Sequence, residues 1–142
     1  MSAEALSGGC LCGAVRFTAT PTRMDMTACH CSMCRRWCAG PMMTVDCDSD
    51  IAIDGVANLG VYISSDYGER CFCTQCGTTL FWRMQDRSLL EVSAQAFDEP
   101  QRFAFALEIY TDEQPAHYAF ANATKRMTGA EFVAFMQAGK GG

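Results

Sequence analysis

A chain of 142 residues, 49% of them hydrophobic and 19% charged, is long enough for one domain with an ordinary core and too apolar for a disordered protein. Its net charge of −5 argues against nonspecific nucleic-acid binding, which needs a basic surface. The sequence has no apolar run of about eighteen residues and no basic, apolar leader. We therefore expect neither a membrane span nor a signal peptide.

Alternation of apolar and polar residues predicts short β-strands through most of the chain. The alternating segments begin, in chain order, at Val15, Met24, Met43, Ile51, Leu59, Leu80, Leu89 and Phe103. Only the C-terminus departs from this period. There, Thr128-Gly129-Ala130-Glu131 matches a capping box, and the apolar residues after it predict a helix of about two to three turns, followed by a loose Gly139–Gly142 tail.

This pattern predicts a mainly β fold of several small antiparallel sheets with a short C-terminal helix. No linker or low-complexity stretch divides the chain, so we expect a single domain over residues 1–142. Its core should lie at about residues 7–120. The C-terminal helix and tail should occupy residues 128–142.

Eight of the ten cysteines fall in three clusters: Cys10-Leu11-Cys12, Cys29-His30-Cys31-Ser32-Met33-Cys34 and Cys71-Phe72-Cys73-Thr74-Gln75-Cys76. Thiols two or three positions apart chelate a metal easily, but they form a disulfide with each other only with strain. We therefore expect metal sites rather than a disulfide framework. Free thiolates persist in a reducing compartment, so we also expect a cytoplasmic location.

The first and third clusters each end in a glycine that allows the positive φ of a zinc knuckle. Together they can supply one closed, structural four-thiolate site, formed by Cys10, Cys12, Cys73 and Cys76. The second cluster then keeps three ligands, Cys29, Cys31 and Cys34, and an open position. Solvent, a substrate thiolate, His30 or Cys71 can fill that position, and an iron–sulfur centre is an alternative to zinc. Cys38 and Cys47 are left as small buried hydrophobic residues.

Charged residues near the clusters are the candidates for ligand binding. Four arginines lie beside the cysteines in sequence: Arg35, Arg36, Arg70 and Arg83. They are either solvated surface residues or a positive rim that holds a carboxylate-bearing ligand. Three residues that can exchange protons precede the third cluster: Asp66, Tyr67 and Glu69. None of them stands out as a general acid or base, so the catalytic residues stay unassigned.

Three motifs resemble a known family: Gly8-Gly9-Cys10-Leu11-Cys12-Gly13-Ala14-Val15-Arg16-Phe17, Cys29-His30-Cys31-Ser32-Met33-Cys34-Arg35, and Arg70 followed by Cys73-Thr74-Gln75-Cys76-Gly77-Thr78 with Leu80-Phe81. They resemble the glutathione-dependent formaldehyde-activating enzyme (GFA) family, which includes centromere protein V. The resemblance implies a beta-tent of coiled antiparallel sheets around two zinc ions. It places a structural zinc on Cys10, Cys12, Cys73 and Cys76, and a second zinc on Cys29, Cys31 and Cys34.

The activity that the resemblance implies is a carbon–sulfur lyase, which in reverse joins glutathione to formaldehyde to give S-hydroxymethylglutathione. We accordingly expect a zinc-assisted reaction between an aldehyde and a small thiol such as glutathione. Arg35 or Arg70 would hold the carboxylate of the thiol compound. The chain departs from the family pattern at Cys71 and at Pro115-Ala116-His117-Tyr118, where the family often carries a tryptophan. The alternative function is a non-catalytic, zinc-structured module that binds a protein partner, with no nucleic-acid or membrane partner in either case.

Overall fold

The computed structural model describes residues 4–140, with side chains for residues 4–139. The described chain is mainly β, as predicted, with eleven strands: β1 (Leu6–Gly9), β2 (Arg16–Ala19), β3 (Asp25–Cys29), β4 (Met42–Cys47), β5 (Ala52–Asp54), β6 (Leu59–Ile63), β7 (Gly68–Cys73), β8 (Thr79–Met84), β9 (Leu90–Ser93), β10 (Ala104–Ile109) and β11 (Lys125–Arg126). Two α-helices accompany them, α1 (Ser32–Cys38) and α2 (Gly129–Lys140). Short 3₁₀ helices occupy Val56–Asn58, Ala94–Ala96, Pro100–Arg102 and Thr111–Glu113.

The chain divides into two compact units. One contains the described residues of Met1–Met24 and Thr44–Ala104, and the other contains those of Asp25–Met43 and Phe105–Gly142. The single-domain organisation over residues 1–142 stays a prediction. Neither helix in the described part of the chain is long and apolar enough to cross a membrane.

The first unit contains two antiparallel arrangements of strands. One is a three-stranded sheet in the order β1-β2-β5, and the other runs β4-β9-β8-β7-β6, with β4 paired to β9 from Thr44 onward. Apolar side chains that alternate along these strands form the core, as in Phe81, Leu90 and Val92, which are all at most 1% exposed. Both arrangements consist largely of hairpins. The β1–β2 turn carries the first cysteine cluster, and the third cluster spans the end of β7 and the β7–β8 turn.

In the second unit, β10 lies between β3 and β11. The β10–β11 pair is parallel, with Leu107 opposite Lys125 and Glu108 opposite Arg126. A parallel pair needs a long connection, and the segment from residue 110 to residue 124 provides it. The sequence analysis expected antiparallel sheets, and this pair is an exception. Alternation of apolar and polar residues predicts where a strand lies, but not whether it runs parallel or antiparallel to its neighbour.

The sequence predicted one of the two helices, α2, and not the other. The capping box of α2 is formed as predicted, because Thr128 Oγ1 accepts the N–H of Glu131 at 3.2 Å and Glu131 Oε1 accepts the N–H of Thr128 at 2.8 Å. α2 also includes Gly139 and Lys140, which the sequence placed in the tail, and the rest of the predicted tail lies outside the described residues. α1 was not predicted, since it is only seven residues long and begins inside a cysteine cluster.

Candidate metal centres and the residues around them

Four sulfur atoms lie within 4.8 Å of one another in the first unit: those of Cys10, Cys12, Cys73 and Cys76. The β1–β2 turn supplies the first two, the last residue of β7 supplies Cys73, and the β7–β8 turn supplies Cys76. The sulfur of Cys12 lies 3.7 Å from that of Cys10 and 3.8 Å from that of Cys73. A tetrahedron with metal–sulfur bonds of about 2.3 Å has edges of about 3.8 Å. This four-thiol group therefore fits a closed zinc site, and it contains the residues that the spacing suggested.

The turns around the four-thiol group have the geometry of zinc knuckles. Gly13 and Gly77 adopt φ values of 83° and 79°, which residues with a Cβ rarely reach. Folding the backbone in this way turns amide groups toward the sulfurs. The N–H of Val15 lies 3.2 Å from the sulfur of Cys10. Such contacts stabilise thiolates and hold them in place before a metal arrives.

Thr78 links the two halves of the four-thiol group. Its side-chain oxygen lies 3.1 Å from the sulfur of Cys76 and accepts the backbone N–H of Leu11 at 3.0 Å. Hydrogen bonds, first from the Thr78 hydroxyl and then from the Thr78 backbone N–H, lower the pKa of Cys76 to about 5. The sequence analysis did not single out Thr78, although its position two residues after the last cysteine of the knuckle could have indicated it.

Three sulfur atoms of the second unit form a separate group, again within 4.8 Å of one another. Cys29 ends β3, Cys31 is the N-cap of α1, and Cys34 lies in the first turn of that helix. The thiols of Cys29 and Cys34 hydrogen-bond to Cys31 and lower its pKa to about 2, and the same sharing raises the pKa of Cys29. Hydrogen bonding within the three-thiol group therefore places negative charge preferentially on the sulfur of Cys31.

His30 lies between two of these cysteines in sequence, but its ring is engaged elsewhere. The side chain is fully buried, with Nε2 2.8 Å from Glu108 Oε1 and Nδ1 2.8 Å from the hydroxyl oxygen of Tyr118. Both ring nitrogens already have partners, so the ring is not placed as a metal ligand. Cys71 is buried on β7 in the first unit and belongs to neither thiol group of the described residues.

The remaining sequence candidates lie in different surroundings. Arg35 donates from Nε to the backbone carbonyl of His30 at 2.9 Å, beside the three-thiol group. Arg70 is 6% exposed on β7 in the first unit. Glu69 accepts from Arg83 at 2.6 Å and from Arg87 at 3.0 Å, which favours a structural role. Of the others, Arg36, Asp66 and Tyr67 are exposed, Cys38 is half-buried and Cys47 is buried.

The sequence analysis missed a buried polar network built on Glu108. This side chain is 1% exposed and accepts hydrogen bonds from His30, Thr124 and Arg126. Burial alone would raise the pKa of Glu108, but these donors lower it below its usual value. In sequence, Glu108 occupies the polar register of an alternating strand, which normally marks a solvated side chain, so no local signal identified it.

Comparison with known proteins gives consistent matches. A family model described as glutathione-dependent formaldehyde-activating enzyme matches residues 5–113. An uncharacterised lyase of Schizosaccharomyces pombe is 34% identical over 127 residues, which cover 89% of this chain and 93% of that protein. A Halomonas elongata protein that carries the name of a glutathione-dependent formaldehyde-activating enzyme is 30% identical, covering 72% of this chain and 75% of its own. A Rhodobacter sphaeroides protein of known crystal structure shares the fold, with a TM-score of 0.58 at 24% identity, over 66% of this chain and 88% of that chain.

Proposed function

The chain belongs to the glutathione-dependent formaldehyde-activating enzyme family, and from this premise we propose that it is a zinc-dependent carbon–sulfur lyase. Its substrate would be an adduct of glutathione, or of another small thiol, with an aldehyde, such as S-hydroxymethylglutathione. Two relatives support this reaction class, since one is named a lyase and the other a glutathione-dependent formaldehyde-activating enzyme. We propose that the reaction takes place in the cytoplasm, where thiols stay reduced.

The observation that carries the proposal is the incomplete ligand set of Cys29, Cys31 and Cys34. Three thiolates leave one position of a four-coordinate zinc to a further ligand, whereas the four-thiol group of the first unit is complete in itself. His30 does not complete the set, because both of its ring nitrogens have other partners. We therefore assign a structural zinc to the four-thiol group and a reactive zinc to the three-thiol group.

In the lyase direction, the C–S bond of the adduct breaks and the sulfur keeps the electron pair. The adduct hydroxyl loses its proton to solvent as its C–O bond becomes the C=O bond of the aldehyde. A zinc ion held by the three-thiol group would favour the thiolate form of the departing thiol. The guanidinium group of Arg35, beside these cysteines, would hold a carboxylate of the thiol compound. Arg70, the other candidate from the sequence, lies in the first unit, and its role in substrate binding stays a prediction.

A pair of cysteine variants tests this function. Zinc would be counted by mass spectrometry, and formaldehyde release from S-hydroxymethylglutathione would be measured. The wild-type protein should hold two zinc ions and release formaldehyde. Cys31→Ser should stay folded, hold one zinc ion and lose the activity, because only the three-thiol group is broken. Cys38→Ser is the matched control, since Cys38 lies on the same helix outside both thiol groups, and it should retain both zinc ions and the activity.

Cobalt substitution tests the open position directly. Thiolate-to-metal absorption bands of the cobalt protein should change when glutathione is added, because a fourth thiolate joins the three protein sulfurs. The bands should not respond in Cys31→Ser. A wild-type protein with two metal ions, no response to glutathione and no formaldehyde release would contradict the lyase proposal.

A second candidate function is supported by strand β6 of the first unit. Val61, Tyr62 and Ile63 are 48%, 64% and 57% exposed, on a strand whose one described neighbour is β7. Exposed apolar side chains on an edge strand are typical of a protein-binding surface. A non-catalytic, zinc-structured binding module would explain this strand, and it would be favoured if the cobalt and formaldehyde tests both gave negative results.

A further inference from the structure

Strand β6 pairs with β7 on one side, and two hydrogen bonds of this hairpin show which backbone groups face the other side. The N–H of Ser64 donates to the carbonyl of Gly68 at 3.3 Å, and the N–H of Thr74 donates to the carbonyl of Asn58 at 2.8 Å. Bonded residues alternate along an antiparallel pair, so the even-numbered residues of β6 bond to β7. The N–H and C=O groups of residues 59, 61 and 63 therefore point away from β7.

Two residues of this outer edge, Val61 and Ile63, keep both backbone groups available for a further strand. In the part of the chain that the structure describes, β7 is the one strand paired with β6. Leu59 differs, because its N–H already donates to the carbonyl of Val56. A row of unpaired donors and acceptors of this kind is a template for another strand.

Exposed apolar side chains are concentrated around the same edge. Half of the ten large apolar side chains that are exposed among the described residues lie between residues 56 and 67: Val56, Val61, Tyr62, Ile63 and Tyr67. Val61 lies opposite Cys71, and Cys71 lies opposite Phe81. Cys71 and Phe81 are fully buried, so the face of the sheet that carries Val61 is a core face that becomes exposed at its last strand.

The sequence of β6 lacks the features that usually keep edge strands apart. The segment Leu59-Gly60-Val61-Tyr62-Ile63-Ser64-Ser65 contains neither a charged residue nor a proline. By contrast, β11 of the second unit consists of Lys125 and Arg126. A chain with a net charge of −5 repels its own copies in general, and an uncharged strand is a place where two copies can approach.

We propose that β6 pairs with β6 of a second copy of this chain, antiparallel and across a two-fold axis at Tyr62. In this register Val61 lies opposite the partner's Ile63, and the two residues exchange both of their hydrogen bonds. The axis repeats the pair, so the N–H and C=O groups of both residues are used in both copies. An axis at Val61 would instead place Ile63 opposite the partner's Leu59, whose N–H is already engaged. Because the pairing uses the edge of each copy, association stops at a dimer.

The side chains fit the same register. The two Tyr62 rings are neighbours at the axis, and an aromatic pair directly across two strands is favourable. Val61 and Ile63 of each copy cover the exposed parts of the same residues in the other, which extends the buried face across the axis. An unrelated peptide could satisfy the backbone groups of β6, but a second copy also brings matching apolar side chains and no charge. This inference does not depend on the lyase function.

The test measures the mass and the amide exchange of the zinc-loaded full chain. Sedimentation equilibrium should give a mass twice the 15.5 kDa of one chain. In hydrogen exchange followed by NMR, the amides of Val61 and Ile63 should be protected as strongly as those of Gly60 and Tyr62, which bond to β7.

A pair of lysine variants locates the interface. Val61→Lys should raise the dissociation constant of the dimer by at least about tenfold, because the axis places each substitution in the interface twice. Val133→Lys is the matched control, since it adds the same charge at a valine of similar exposure on α2, 44% against 48%. Its dissociation constant should equal that of the wild-type protein.

Three results would each overturn the proposal. The first is a wild-type protein that stays monomeric at a concentration of about 0.1 mM. The second is a dimer in which the amides of Val61 and Ile63 exchange rapidly, because that dimer uses another surface. The third is the same dissociation constant for Val61→Lys and Val133→Lys. The first two measurements use the wild-type protein, so they decide the matter even if Val61→Lys does not fold.

Discussion

Replacing Thr78 with valine should weaken metal binding at the four-thiol group without changing any ligand. The side-chain oxygen of Thr78 accepts the N–H of Leu11, so its own proton is available for the sulfur of Cys76, 3.1 Å away. Valine has nearly the same volume and the same branched Cβ, but it makes neither hydrogen bond. The variant therefore isolates the contribution of this hydroxyl from the packing of the turn.

The expected loss is about 10- to 100-fold in zinc affinity, the usual effect of removing a group that hydrogen-bonds to a metal ligand. The pH dependence should change as well. The hydroxyl makes the largest contribution to the hydrogen bonding that lowers the pKa of Cys76 to about 5, which keeps this sulfur a thiolate down to about that pH. Without the hydroxyl, the pKa of Cys76 moves back up toward the ordinary thiol value. Protons then compete with zinc sooner, and the metal should be released at a higher pH than in the wild-type protein.

The assay is competition for zinc against a chromophoric chelator at neutral pH, followed by an acid titration of metal release. Thr74→Val is the matched control, because Thr74 is in the same turn and its hydroxyl donates to the carbonyl of Asn58 at 3.0 Å rather than to a sulfur. Equal zinc affinity and equal release pH for Thr78→Val and Thr74→Val would refute the reasoning.

Three further predictions concern the stability of the fold. Cys73→Ser should be insoluble or unfolded, because a zinc ion held by the four-thiol group would supply folding free energy. Cys47→Ser should stay soluble and give a folded circular-dichroism spectrum. Gly55→Ala should lower the free energy of unfolding, measured by urea denaturation, by more than about 2 kcal/mol, because the new Cβ would lie 1.9 Å from a backbone oxygen. Gly13→Ala is the control, since a Cβ there meets open space, and it should lower the same free energy by only about 1–2 kcal/mol. Glu108→Gln should destabilise the protein by about 2–3 kcal/mol at pH 7. Because the pKa of Glu108 is lowered in the folded state, its contribution to stability is present above the unfolded-state pKa and is lost as the pH falls. The melting temperatures of wild type and variant should therefore converge in acid, and a difference that stays constant with pH would contradict this.

The sequence alone was sufficient for features that depend on short separations along the chain. Thiols two or three residues apart in the chain have few ways to point except toward one another, so both halves of the four-thiol group and the whole three-thiol group could be identified from spacing. The capping box of α2 is similarly local, because Thr128 and Glu131 satisfy each other's backbone amides. Alternation of apolar and polar residues revealed the strands for the same reason: it reports which face each residue occupies.

Only the tertiary structure decided how the three-thiol group is surrounded. His30 meets Glu108 across 78 residues and Tyr118 across 88 residues, and these contacts depend on the pairing of strands that the sequence pattern does not specify. Glu108 looked like a solvated residue on the polar face of a strand, and it is instead the buried carboxylate that orients a histidine. Hydrogen-bond direction in such a network depends on every partner at once, and partners brought together by folding leave no periodic or local signal in the sequence.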